Sequence, residues 1–414
     1  KKDLNFEKNK IINAKLIESY ELSKNDKYHQ YANLVSLWNR KEKAISFEKR
    51  VIEYYNIDII KIKNFFSFIK SRLSFYLLIF FSSQFVFPIF KKIFINRIKR
   101  NIDLINKIKK YEIDLVIQPT SGHLSDTLDL LSYCNEKNIL SYLIIDNWDN
   151  LSSKVCYYYK PDFISTWGEQ SKLHAIKFQD LKREQITVVG SARFDNYFKI
   201  RNENIPKIFE KKYVLFLGSS LPWDENFALK ILDDHLQKNK DYYKDLFIVY
   251  RPHPFRKIQT NFKNENFKNV ILDPQIENLE HRKWPNLDYY PKIISNSLFV
   301  VGGLTSMMIE SLIFWKKYIA ISYFDDFHRN PEYILKTRPH LFEINDVDNL
   351  YLCKDKNQLK NIFFDVFNKY ALEEKNKVDE QRNFFLYNDH LNFEDRIKYQ
   401  ILKIIDKIQT HPKA

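Results

Sequence analysis

Glycine is scarce in this chain. There are six in 414 residues, where average usage of about 7% gives about thirty. The shortage excludes collagen-like, glycine-rich linker and low-complexity classes. Cysteine is nearly absent as well: Cys134, Cys156 and Cys353 are an odd number, far apart and without metal-ligand spacing. That excludes a disulfide framework and a structural zinc site, and it favours a reducing compartment. Zinc-finger, basic-helix and RNA-binding-sheet signatures are missing too, so nucleic acid is not an expected partner despite a formal charge of +14. An anionic substrate or an anionic membrane face remains.

What is present is apolar. Hydrophobic residues make up 44% of the chain and aromatic residues 16%, enough to bury large cores, and the length suggests two domains. Leu73 to Phe90 forms a run of eighteen uncharged residues flanked by Lys70, Arg72, Lys91 and Lys92. Eighteen is the lower edge of a membrane span, but Ser74, Ser82, Ser83, Gln84 and Pro88 interrupt it. A span, docking at a basic-flanked membrane interface and ordinary core are all open, with docking favoured.

Beyond about residue 103, short apolar runs alternate with longer amphipathic stretches, which predicts strands and helices in turn. Predicted strands cover 114–118, 141–145, 163–166, 186–189, 214–217, 246–250, 270–272, 298–301 and 318–321. Helices are expected over 126–137, 225–237 and 306–315. Such repeats give parallel sheets covered on both faces. The polar stretch 199–212, with Pro206, separates two series. The expected plan is therefore an N-terminal domain over 1–198 with a docking segment at 61–100, a linker over 199–212, a C-terminal domain over 213–371, and a charged helical tail over 372–414.

The glycines follow the predicted strands. Gly122, Gly168 and Gly190 lie in the first series and Gly218, Gly302 and Gly303 in the second, each expected just past a strand's C-terminal end. That edge is where open α/β sheets bind ligands. Two such edges turned toward each other predict an interdomain cleft.

Chemistry concentrates at the same edges. In the second half, Gly218-Ser219-Ser220, Arg251-Pro252-His253-Pro254 and Gly302-Gly303-Leu304-Thr305-Ser306 follow strands, with Glu310 on the next helix. Backbone N–H groups and hydroxyls at helix starts suit phosphate oxygens, and Arg251 and His253 offer positive charge or donors. In the first half, Asn147, Trp148, Asp149, Asn150 and Lys154 suit a sugar: amides and a carboxylate for hydroxyls, an indole for a ring face, an amine for an acidic group. Asp126, Asp149 and His123 could deprotonate an acceptor hydroxyl, and Arg193 could enter the cleft. Local alternatives also exist: helix capping for Ser219, Ser220 and Asp126, a charge in the first helical turn for Glu310, and a turn around a buried Trp148. Asp325 and Asp326 could suggest an ion, but no other carboxylates cluster with them, and no metal is expected.

The order of a Gly-Ser loop, an Arg-Pro-His-Pro loop and a Gly-Gly-x-Thr-Ser loop followed by Glu310 resembles the nucleotide-binding half of GT-B glycosyltransferases of bacterial surface-polysaccharide assembly. Within these it is similar to His-Pro motif sialyltransferases, Kdo transferases and CDP-glycerol glycerophosphotransferases. The resemblance covers about 213–323. It implies two Rossmann-like parallel-sheet domains facing a cleft, with the C-terminal helix of 372–414 packing back on the N-terminal domain, His253, Thr305 and Ser306 on a donor phosphate, Glu310 on a ribose, and no metal cofactor. It also implies a nucleotide-sugar donor, CMP-linked or UDP-linked, and a glycan or lipid-linked glycan acceptor of capsule or lipopolysaccharide type. The expected location is cytoplasmic, peripheral to the inner face of the plasma membrane. The sialyltransferase acidic-acidic-glycine motif does not occur. Two other readings use the same scaffold: a UDP-N-acetylglucosamine 2-epimerase-like isomerase, whose usual Gly-Gly-Gln/Glu-Glu is replaced here, and a non-catalytic glycan-binding protein.

Overall fold

The computed structural model describes residues 65–410, except 82, 84, 98–99, 112, 121, 123–124, 154–156, 158, 221–222, 255–261, 263, 278–287, 327, 329 and 370–374. Two wholly parallel sheets organise it. The first holds β1 (Leu115–Thr120), β2 (Leu140–Ile145), β3 (Phe163–Thr166) and β4 (Ile186–Val188), paired in that order. The second holds β5 (Tyr213–Leu217), β6 (Phe247–Arg251), β7 (Val270–Leu272), β8 (Val300–Gly302), β9 (Tyr318–Ile321) and β10 (Leu350–Cys353) in the order β10-β9-β8-β5-β6-β7. The order turns back between β5 and β8, next to the strand on which the Gly218 loop begins. A crevice opens at such a switch point, outside the strands' C-terminal ends.

Continuous apolar runs such as Tyr213-Val214-Leu215-Phe216-Leu217, buried throughout, are what a strand covered on both faces requires. One core cluster lies on each side of the second sheet, and a smaller one fills the first domain around Leu143, Leu151 and Ile164. The largest cluster joins the domains. Trp148, Trp167, Phe194 and Tyr197 share it with Tyr290, Met308, Leu312, Leu341 and Phe385. The two sheets are thus arranged as two Rossmann-like domains facing a cleft, the GT-B architecture, sharing one apolar contact region.

Three sequence expectations need correction. The helix Asp195–Arg201 runs into the predicted linker. Lys199 and Arg201 make that stretch look polar, yet Phe198 and Ile200 beside them are buried in the interdomain core. Strand β10 was not predicted; its four residues carry no flanking glycine or proline signal. Gly302 ends β8 rather than following it.

The C-terminal tail forms two helices, Lys375–Phe385 and Phe393–Thr410, and returns to the first domain. Tyr387 N donates to Trp167 O at 2.8 Å, and Phe393 N to an Asp195 carboxylate at 2.9 Å. This crossing accounts for two of the glycines. A Cβ at Gly168 would lie 2.5 Å from Phe384 O, and one at Gly190, which has φ +78°, would strike Tyr387 O. Both are packing sites for the returning chain, not walls of the cleft.

Candidate functional site

A cleft of about 520 Å³ opens between the sheets. Three strand ends of the second sheet build one wall. Gly218 N donates to Arg251 O at 2.8 Å, drawing the first two loops together. A side chain at Gly218 is excluded because its Cβ would fall 2.7 Å from His253 N. The buried carboxylate of Glu225, in the first turn of the helix Glu225–Lys238, accepts from Ser219 N at 3.0 Å and from Tyr250 Oη at 2.5 Å. It braces the serine loop from behind. Gly303 keeps the third loop close, since its Cβ would lie 3.1 Å from that of Ser219. Ser306 is the N-cap of the helix Met307–Ile313, and Thr305 Oγ1 accepts from Met307 N at 3.3 Å. Gly218, Ser219, Ser220, Arg251, His253, Thr305 and Ser306 all line the cleft.

The two arginines are already matched. Arg251 is buried and donates through Nη1 to Asp273 at 3.0 Å, with its guanidinium 3.7 Å from the Tyr290 ring centroid. Asp273 also accepts from Tyr289 Oη at 2.7 Å, so Arg251 braces the wall as well as facing it. Arg193, on the first domain, donates through Nη2 to Glu310 Oε1 at 2.7 Å. Tyr197 Oη donates to the other oxygen at 2.7 Å, and Ser306 Oγ to Oε1 at 3.3 Å. Glu310 is fully buried, while the Arg193 side chain is 44% exposed. Burial is the largest single influence on Arg193 and opposes its charge, but Glu310, Tyr197 and Tyr290 together outweigh it and hold the guanidinium above its usual value. Burial and, next, Glu310 push the Tyr197 phenol well up. Sequence reasoning placed Glu310 on a ribose; in the structure both its oxygens serve as an interdomain tie, and it does not line the cleft.

On the first-domain side, Asn147, Trp148 and Asp149 line the cleft at the end of β2. Asn147 Oδ1 accepts from Trp148 N at 3.0 Å, and Asp149 O accepts from Ser153 Oγ at 2.8 Å, closing the turn. Asp149 is the one carboxylate residue among the described residues that line the cleft. Trp148 is a core ring, edge-on to His340 and Phe385 with centroids 4.8 and 6.1 Å away, rather than an open sugar platform. Asn150 is buried and donates to Asp146 Oδ1 at 2.6 Å. Asp126 is buried too, and accepts from Asn101 Nδ2 at 3.3 Å. Neither borders the cleft. His123 and Lys154 lie outside the described residues.

The far wall was missed at the sequence level. Arg338, His340, Ile334 and Leu341 line it, from the helix Pro331–Thr337 and the 3-10 segment Pro339–Asp346. A signal was available: Arg338-Pro339-His340 repeats the Arg251-Pro252-His253 triplet. Gln170 Nε2 donates to His340 O at 3.2 Å and to Glu343 at 2.6 Å, joining this segment to the first domain. The cleft lining thus holds three arginines and two histidines with one aspartate; Arg193 and Arg251 are ion-paired with Glu310 and Asp273 behind the wall, so their N–H donors rather than net charge are what they offer an anion. Among the described residues, no three His, Cys, Asp or Glu side chains gather where they could hold a metal ion. Asp325 instead accepts from Asp224 N and His328 N, both at 2.8 Å, fastening two loops.

No family model and no curated protein matches the chain. Similar solved structures include a Staphylococcus aureus MnaA–UDP co-structure, with 14% identity and TM-score 0.45 over 74% of this chain and 78% of that chain. A UDP-GlcNAc 2-epimerase from Methanocaldococcus jannaschii shows 15% identity and TM-score 0.45, covering 73% and 80%. The wall teichoic acid polymerase TagF with CDPG shows 13% identity and TM-score 0.39, covering 75% and 93%. No reaction follows from identity this low.

Proposed function

We propose that this protein is a metal-independent glycosyltransferase that moves a sugar from a nucleotide-activated donor, preferably CMP-linked, to a growing surface glycan. The observation that carries the reading is the convergence of His253, Ser219, Thr305 and Ser306 on one wall of a cation-rich cleft, with Asp149 on the other. In this reading the imidazole and the hydroxyls hold the donor phosphate and stabilise charge as the bond from the anomeric carbon to the phosphate oxygen breaks. The acceptor hydroxyl forms the new bond to that carbon, the nucleotide leaves with the electron pair, and the Asp149 carboxylate takes the hydroxyl proton.

The test is product analysis with CMP-linked and UDP-linked sugars, with and without a glycan acceptor. Transfer to the acceptor and slow donor hydrolysis without it are expected. Asp149→Asn should lower transfer by about 10²–10⁴-fold while leaving nucleotide affinity within about threefold. An epimerised sugar formed without acceptor would establish the isomerase instead, and unaltered donors in every mixture would establish a binding protein.

A further inference from the structure

Residues 65–100 contain seven Lys or Arg and no Asp or Glu. They form a helix, Phe65–Phe81, and a second, Val86–Asn96, bent against each other by 101°. Ser83 makes the corner: Val86 N donates to its Oγ at 3.2 Å and Phe87 N to its carbonyl at 3.0 Å. Buried Phe87 and the Phe81–Phe90 ring contact at 5.9 Å hold the bend. The outside is apolar to a degree unusual for a water-facing surface. Phe85 is 86% exposed, Ile89 73%, Tyr76 61% and Leu73 58%. The base is fixed to the first domain, where Arg100 bonds Ser132 at 3.0 Å and Glu136 at 2.5 Å, and Asn101 N donates to Asp129 at 2.7 Å.

We infer that this bent helical pair is a docking element that lies in the headgroup layer of an anionic lipid bilayer, with Phe85 and Ile89 inserted. No single described helix is long and apolar enough to cross a membrane; the two together reach that length and apolarity but are bent by 101°, which suits a segment that enters one leaflet and returns. Charge selects the occupant. Lys70, Arg72, Lys91, Lys92 and Arg97 border the exposed apolar residues without a single acid, which complements anionic headgroups. A second copy would bring the same excess of Lys and Arg over 65–100 against it and be disfavoured by like charge. The element is separate from the cleft, so the inference does not rest on the proposed reaction.

Co-sedimentation of the full chain with phosphatidylcholine vesicles, with and without phosphatidylglycerol, tests it. Binding is expected only with phosphatidylglycerol. Phe85→Ser combined with Ile89→Ser should weaken partitioning at least about tenfold, and Lys91→Gln with Lys92→Gln about fivefold per charge removed. These side chains are exposed, so unchanged circular dichroism and melting should accompany both variants, as should an unchanged thermal shift with nucleotide. Alkaline carbonate should release the bound protein. Equal binding to neutral vesicles, retention of binding in both variants, resistance to carbonate, or a dimer dissolved by Phe85→Ser with Ile89→Ser would each overturn the inference.

Discussion

Two carboxylates show how burial decides what a single residue does. Glu310 is fully buried but satisfied by three donors. Arg193→Ala would remove the opposing charge and leave Oε1 with the longer Ser306 hydroxyl bond, and a loss of about 1–3 kcal/mol is expected in denaturant unfolding. Arg193→Lys should recover part of it, short of the full value because one ammonium does not reproduce the guanidinium geometry. Asp129 is the opposite case. Burial pushes its carboxyl up to about 7 against the lowering effect of the Asn101 N–H bond. The unfolded chain has a value of about 3.9, so between about pH 4 and 7 the folded state binds more protons than the unfolded one. Stability therefore falls as pH rises through that window. Asp129→Asn should flatten this dependence, raising the melting temperature above about pH 7 and leaving it nearly unchanged near about pH 4, by up to about 4 kcal/mol at the alkaline end. A wild-type stability that rises across the window would contradict the assignment.

At the level of elements, glycine and apolar runs carried most of the legible information. Strand cores such as 163–166, 270–272 and 318–321 agree with the structure residue for residue; the clearest is 318–321, which is buried throughout and continuously apolar, as a strand covered on both faces must be. The cleft loops at Gly218, His253 and Thr305 were legible for the same reason: each follows such a run. Less legible was anything set by the meeting of distant segments. Gly168 appears as a ligand loop until the tail from 384 to 387 is laid against it, and Trp148 appears as a sugar platform until His340 and Phe385 cover its edges. Two glycine substitutions separate these roles. Gly168→Ala should cost about 1–3 kcal/mol of stability by overpacking against the returning tail. Gly303→Ala, crowding only Ser219 at 3.1 Å, should change stability by less than about 1 kcal/mol while weakening nucleotide binding. Calorimetry on both variants, with and without nucleotide, reads the difference.

For the whole molecule, the shared core around Trp148, Phe194, Met308 and Phe385, the Arg193–Glu310 tie and the returning tail join the two sheets. The cleft between them is a joint product of both domains, with phosphate-suited loops on one side and a carboxylate on the other. Nucleotide recognition by the second sheet's strand ends, as proposed, is tested most directly by titration calorimetry of wild type and His253→Ala with CMP, CDP, UDP, GDP and dTDP. Saturable binding of at least one pyrimidine nucleotide is expected, weakened at least about tenfold, or about 1.4 kcal/mol, by His253→Ala. Binding of none of the five, or an affinity untouched by the loss of His253, would contradict it.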